Sequence, residues 1–141
     1  MKHDIVKFGA KILRKKCAPV GTINDEVRDL ISHLFDSMRA AEGVGLAAPQ
    51  IAHARRICVI DVSFQQPEYP PVALINPRIV DRQGEQIGEE GCLSFPDMYG
   101  DVKRAERVAV EALDLNGETF TTEGDGFYAR ALQHELDHLD G

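Results

Sequence analysis

Gln133-His134-Glu135-Leu136-Asp137-His138-Leu139-Asp140-Gly141 is the stretch on which the reading of this chain turns. In an α-helix, residues four apart sit about 40° from one another around the axis, so the His134 and His138 imidazoles converge on one point that a cation can fill. Glu135 projects beside them, within reach of the proton of a water held there, without being a ligand. Upstream, Phe127, Ala131, His134 and His138 share one face, while Tyr128, Leu132, Glu135, Leu136 and Leu139 form the neighbouring stripe. The histidines therefore look inward. Two inward histidines and an acid are costly to bury unless something satisfies them. The pattern predicts a late helix packed on a core and carrying a metal-type donor pair, although HExxH by itself also arises by chance in helices.

An open catalytic site for a divalent ion takes three protein ligands and keeps one position for water. Peptidases built on this spacing draw the third ligand from downstream. Here the only downstream candidate is Asp140, two positions after His138, which on a helix points away from the pair. The third ligand must come from upstream, and Cys92 in Gly88-Glu89-Glu90-Gly91-Cys92-Leu93-Ser94 is the best candidate. Its thiolate is a soft donor, and the flanking glycines let backbone come close to a metal. The competing reading of Cys92 is a small buried hydrophobe, the commonest state of free cysteine. Cys17 and Cys58 fit that second reading, Cys58 lying in the apolar run Ile57-Cys58-Val59-Ile60.

With 141 residues and 43% hydrophobic content, the chain suits one compact catalytic domain spanning 1–141. A net charge of -7 argues against nonspecific binding to nucleic acid or to an anionic membrane surface, either of which calls for clustered cations. The one basic cluster, Arg14-Lys15-Lys16, is short and reads as a solvated face. Met1-Lys2-His3-Asp4 opens without the apolar run of a signal peptide, and no stretch approaches the roughly 18 to 20 apolar residues that span a bilayer. Three cysteines without a disulfide pattern fit a reducing cytosol.

Val27, Leu30, Ile31, Leu34, Phe35 and Met38 recur at helical spacing, with Thr22 or Asn24 as cap, acids in the first turn and Gly43 as the stop. His33 falls on the polar side of this helix, and His3 and His53 are expected at the surface. Gly43-Val44-Gly45-Leu46-Ala47-Ala48-Pro49-Gln50 lacks the Lys-Ser/Thr of a phosphate loop, and its small residues let backbone run beside a ligand. Strands are expected at Ile57–Val62, Val72–Ile75 and around Ile79–Val80, with the proline-rich segment from Phe64 to Pro71 as a loop. Arg107 to Leu115 meets Asn116-Gly117, a hairpin signal, and returns through Glu118 to Thr122. Asp125 or Gly124 then opens the last helix. The class is α+β: short, mostly antiparallel strands around a C-terminal helix carrying HExxH, with one N-terminal amphipathic helix.

Gly43 to Gln50, Glu90 to Ser94 and Gln133 to His138, taken together, resemble the three motifs of the peptide deformylases, GxGxAAxQ, EGCxS and xHExxH, in order and rough spacing. Ile5 to Val20 and the early helix look similar as well. The resemblance implies a fold in which the last-motif helix packs against antiparallel sheets, and removal of the formyl group from the N-terminal methionine of new polypeptides. Residue by residue, it implies Cys92, His134 and His138 as metal ligands, Glu135 as general base and acid, and Gln50 with the Leu93 backbone N–H as oxyanion donors. Read alone, Gln50 is equally an ordinary polar loop residue. Val44, Gly45, Phe127, Arg130 and Ala131 are expected to line the methionine pocket. Gly43 to Gly45 and Glu89 to Gly91, with Glu90 and Gly91 as binding residues, would pair with substrate backbone as an added strand. Glu90 would also anchor the loop presenting Cys92, through an arginine such as Arg104.

The family is associated with one Fe²⁺, for which Zn²⁺, Ni²⁺ or Co²⁺ can substitute at soft and borderline ligands. The implied partners are formylated N-termini of nascent peptides at the ribosome, with no direct nucleic acid contact and no membrane, for a monomer in a bacterial cytosol. Relatives commonly continue past the last motif. A chain stopping at Gly141 reads as a short form like those encoded by bacteriophages, or as a piece of a longer chain. Two other readings remain: an HExxH metallopeptidase, and a module whose metal is purely structural, which would need a fourth protein ligand.

Overall fold

The structure is a computed structural model that describes Ile5, residues 16–92 and residues 95–140, with the side chains of 89–92 and 95–101 outside the described part. Helix α1 (Asp25–Ala40) leads to strand β1 (Gly45–Ala47), a 3-10 turn (Ala48–Ile51), β2 (Ile57–Ile60), β3 (Val72–Gln83), β4 (Gln86–Cys92), β5 (Phe95–Arg104), β6 (Arg107–Leu113), β7 (Thr119–Asp125) and helix α2 (Gly126–Asp140). Five strands form one antiparallel sheet in the order β1-β2-β3-β6-β7, and β4 with β5 forms a separate two-stranded sheet. The expected α+β class, with antiparallel strands between an early and a late helix, is the observed one. No helix among the described residues is long and apolar enough to cross a membrane.

Strand β2 shows why the layers stack as they do. All four of its residues are buried. Ile57 and Val59 pack with Val27, Leu30, Leu34 and Met38 of α1, while Cys58 and Ile60 pack with Leu132, Leu136 and Leu139 of α2. A strand covered on both faces needs an unbroken apolar run rather than alternation. The five-stranded sheet is thus the middle layer, and each fully buried Leu, Ile or Val contributes about 1.5–3 kcal/mol.

Helix α1 begins where its cap dictates: Asn24 Oδ1 accepts from the Val27 N–H at 3.1 Å, with Asp25 and Glu26 in the first turn. Its end differs from expectation by one residue. Glu42, not Gly43, takes the left-handed conformation (φ 57°), and the Gly43 N–H closes the helix on Met38 O at 2.9 Å. His33 is half-buried rather than fully solvated, His53 is exposed, and His3 lies outside the described residues.

The two pieces expected at Val72–Ile75 and Ile79–Val80 are one strand. Asn76 adopts φ 53° and the pairing with β6 slips between Ile75 and Arg78, so the Asn-Pro pair makes a bulge instead of an end. The Asn76 amide accepts from Val20 N at 2.7 Å and donates to Val20 O at 2.9 Å, tying the segment before α1 to the sheet. The β4–β5 hairpin goes beyond the expectation, which offered only Glu89 to Gly91 as a backbone-pairing segment. The Asn116-Gly117 hairpin is present, with Gly117 at φ 78° and Asp114 Oδ1 accepting from the N–H groups of Asn116 and Glu118. Helix α2 starts at Gly126, just after the expected opening.

Gly124, buried in β7, faces the stacked rings of Tyr69 and Tyr128, whose centroids are 4.3 Å apart. A Cβ there would overlap the Tyr128 ring and lie 3.1 Å from Tyr69 Cζ. Gly124→Ala is expected to cost about 2–3 kcal/mol by overpacking, measured by urea unfolding. Wild-type stability would mean that the ring pair moves freely.

Candidate active site

Helix α2 presents its polar residues on an otherwise buried surface. The His134 and His138 rings lie one turn apart, edge-to-face, with centroids 5.0 Å apart and a 73° interplanar angle, and both are half-buried. Glu135, next after His134, is 4% exposed. Its carboxylate rests on Gly45: a Cβ built there would lie 2.6 Å from Oε2, 3.0 Å from Cδ and 3.1 Å from Cγ. Beneath it, burial pushes the Cys58 thiol well above its ordinary range, and the Glu135 carboxylate pushes in the same direction. Cys58 is therefore a neutral floor, in keeping with its reading as a small hydrophobe, and Cys17 is likewise buried.

Gln50 lies in the 3-10 turn after β1, and Pro49 and the left-handed Ala52 (φ 67°) bracket it. The Gln50 side chain is 2% exposed, and its Oε1 accepts from the Ala47 N–H at 3.0 Å. That bond sets the orientation of the amide, with Nε2 as its donor end.

Cys92 is the last residue of β4, paired through its backbone with Phe95. Its side chain, and that of Glu90, lie outside the described residues, as do Leu93 and Ser94 altogether. Two half-buried imidazoles on one helix face fit a borderline divalent cation by donor chemistry. Asp140 is directed elsewhere, to Arg56 Nη1 at 2.8 Å, as its helix position predicts.

Among the expected pocket residues, Val44 and Phe127 are partly buried against the α2 core and Ala131 is buried. Phe127 also meets Phe64 edge-on, with centroids 6.5 Å apart. Phe64, 72% exposed, belongs to the proline-rich loop after β2, whose role the sequence does not indicate. Arg130 is buried, and its guanidinium donates to Gly88 O at 3.2 Å, Val102 O at 3.1 Å and Gln86 Oε1 at 3.3 Å. Arg104 pairs with Asp137 of α2. Gln133 and Asp137 escaped the sequence reading as positioning groups, although polar residues spaced three and four apart on a mostly apolar helix were the available sign.

The sequence profile of the polypeptide deformylases matches residues 2–141. The chain belongs to that family. It is 48% identical over 141 residues to the peptide deformylase of Acidobacterium capsulatum, covering 100% of this chain and 83% of that one. It is 50% identical over 139 residues to the peptide deformylase of Heliobacterium modesticaldum, covering 99% and 89%. The crystal structure of the Legionella pneumophila peptide deformylase superposes with a TM-score of 0.94 at 43% identity, covering 99% of this chain and 82% of that chain. Membership makes the chain a hydrolase, as the three motifs implied.

Proposed function

We propose that the chain, as one catalytic domain over 1–141, hydrolyses the formyl amide at the N-terminal methionine of new polypeptides, yielding formate and a free methionyl peptide. The observation that carries this reading, beside family membership, is the buried Glu135 carboxylate seated on Gly45, next to a pair of half-buried imidazoles on the same helix. Cys92, His134 and His138 would hold one divalent ion, with Fe²⁺ as the working ion and Zn²⁺, Ni²⁺ or Co²⁺ as substitutes. When bound, the ion acidifies water and polarises the formyl carbonyl. Glu135 accepts the proton of the attacking water and delivers it to the leaving amine nitrogen. As the formyl carbon becomes tetrahedral, Gln50 Nε2 and the Leu93 N–H donate to the developing oxyanion, a kind of contact whose loss commonly costs about 10²–10³ in rate.

A formyl carbon bears only hydrogen on its far side, so a crowded site admits it and excludes larger acyl groups. Val44, Gly45, Phe127, Arg130 and Ala131 would line the methionine pocket. Strands β1 and β4 each lie at the edge of their sheet, which supports pairing of substrate backbone with Gly43 to Gly45 and with Glu89, Glu90 and Gly91. We place the enzyme in the bacterial cytosol, acting as a monomer on peptides emerging from the ribosome.

The test is formate release from formyl-Met-Ala-Ser by anaerobically prepared protein. Wild type is expected to release formate and to leave the unformylated peptide intact, and Cys92→Ser to lose at least about tenfold in metal affinity and activity. Cleavage of unformylated peptide would favour a metallopeptidase. Metal binding without formate release would favour a structural site.

A further inference from the structure

The hairpin of β4 and β5 carries Cys92, yet belongs to a different sheet from the strands that α2 packs on. Some contact must set its register against His134 and His138. Arg130 is 5% exposed, and its Nη1 donates to the carbonyls of Gly88 and Val102, which are directly paired across the hairpin. The guanidinium lies on the bare Cα of Gly88, where a Cβ would be 2.9 Å from Nη2 and 3.1 Å from Cζ. One turn further along α2, Gln133 accepts from Ala105 N at 2.9 Å and donates to Ala105 O at 3.0 Å, at the end of β5. Asp137 then pairs with Arg104 of β5. Gln86 completes the stitching, donating to Ala105 O at 3.1 Å and Gly126 O at 2.9 Å.

We propose that the Arg130–Gln133–Asp137 row of α2 is a positioning device that fixes the β4–β5 hairpin against the helix, and so sets the approach of Cys92 to His134 and His138. Gly88 lies four residues, roughly 13 Å, before Cys92 on the strand, and Arg130 lies about one 5.4 Å turn before His134 on the helix. A strand held at that rung by a forked, multi-bond clamp has little freedom to slide. A lysine cannot reproduce the clamp, because its single ammonium lacks the planar fork. The inference rests on the metal-site reading above.

Co²⁺ is the probe. Wild type, Arg130→Lys and Gly88→Ala are titrated against a chromophoric chelator, and the thiolate-to-cobalt absorption in the near ultraviolet is recorded with kcat and KM. Both variants are expected to bind Co²⁺ about ten- to hundredfold more weakly, to lose intensity in the thiolate band, and to show the loss in kcat more than in KM. Variants that fold with wild-type Co²⁺ affinity and an unchanged band overturn the proposal. So does faster amide exchange at Gly88 and Val102 without a change in affinity, since the row would then be merely structural. If Arg130→Lys does not fold, Gly88→Ala decides alone, because its methyl group presses on the end of a flexible side chain. A wild-type protein without any thiolate band overturns the metal-site reading itself, and this inference with it.

Discussion

Glu135→Gln is expected to lower turnover of formylated peptide by about 10²–10⁴-fold while leaving metal content and KM close to wild type. The two side chains are isosteric, and the site at 135 is 4% exposed, so shape and packing carry over. What is lost is the capacity to accept a proton. An amide cannot relieve the attacking water of its hydrogen, nor return one to the departing nitrogen. Because Glu135 projects beside the two imidazoles and its carboxylate rests on Gly45, acting as a base rather than as a third donor, the substitution separates chemistry from metal binding. Turnover within tenfold of wild type would remove Glu135 from the mechanism, and loss of metal together with turnover would recast it as a ligand.

How much of this was legible in the sequence follows from the range of the forces involved. Asn24 caps α1 through a bond to Val27, three residues on, and Asp114 shapes its turn within four residues. Such local chemistry is written in adjacent letters. The unbroken apolar run of β2 likewise announces burial on both faces. His134, Glu135 and His138 were readable because helical spacing alone brings them together. The β4–β5 hairpin was not readable. Gln86-Ile87-Gly88-Glu89-Glu90-Gly91-Cys92 shows neither alternation nor a β-branched run, and Ile87 is 64% exposed. Its strands are fastened by side chains of α2 from far along the chain. The break expected in β3 failed for a related reason. Asn76-Pro77 ends strands locally, but two bonds to Val20 hold the bulge inside one continuous strand.

Gly45→Ala is expected to reduce kcat by about 10²-fold with little change in stability. Gly45 does not adopt a left-handed conformation, so backbone freedom does not explain a glycine there. The reason lies across the interface: an alanine methyl would sit 2.6 Å from Glu135 Oε2, well inside van der Waals contact. The atom in the way is the end of a flexible side chain, so the fold can yield by moving the carboxylate, and that movement is what the chemistry does not tolerate. A displacement of about 1 Å at a reacting group can cost 10²-fold. Gly45 also edges the proposed peptide groove, which supplies a competing account in which the methyl blocks substrate. The two accounts separate kinetically, because blocking raises KM with kcat retained, whereas a displaced base lowers kcat with KM retained. A double-mutant cycle decides further. If Gly45 acts through the carboxylate, Gly45→Ala should cost almost nothing more in the Glu135→Gln background, where proton transfer is already lost. A full additive penalty in that background would place the defect in substrate binding and sink the assignment.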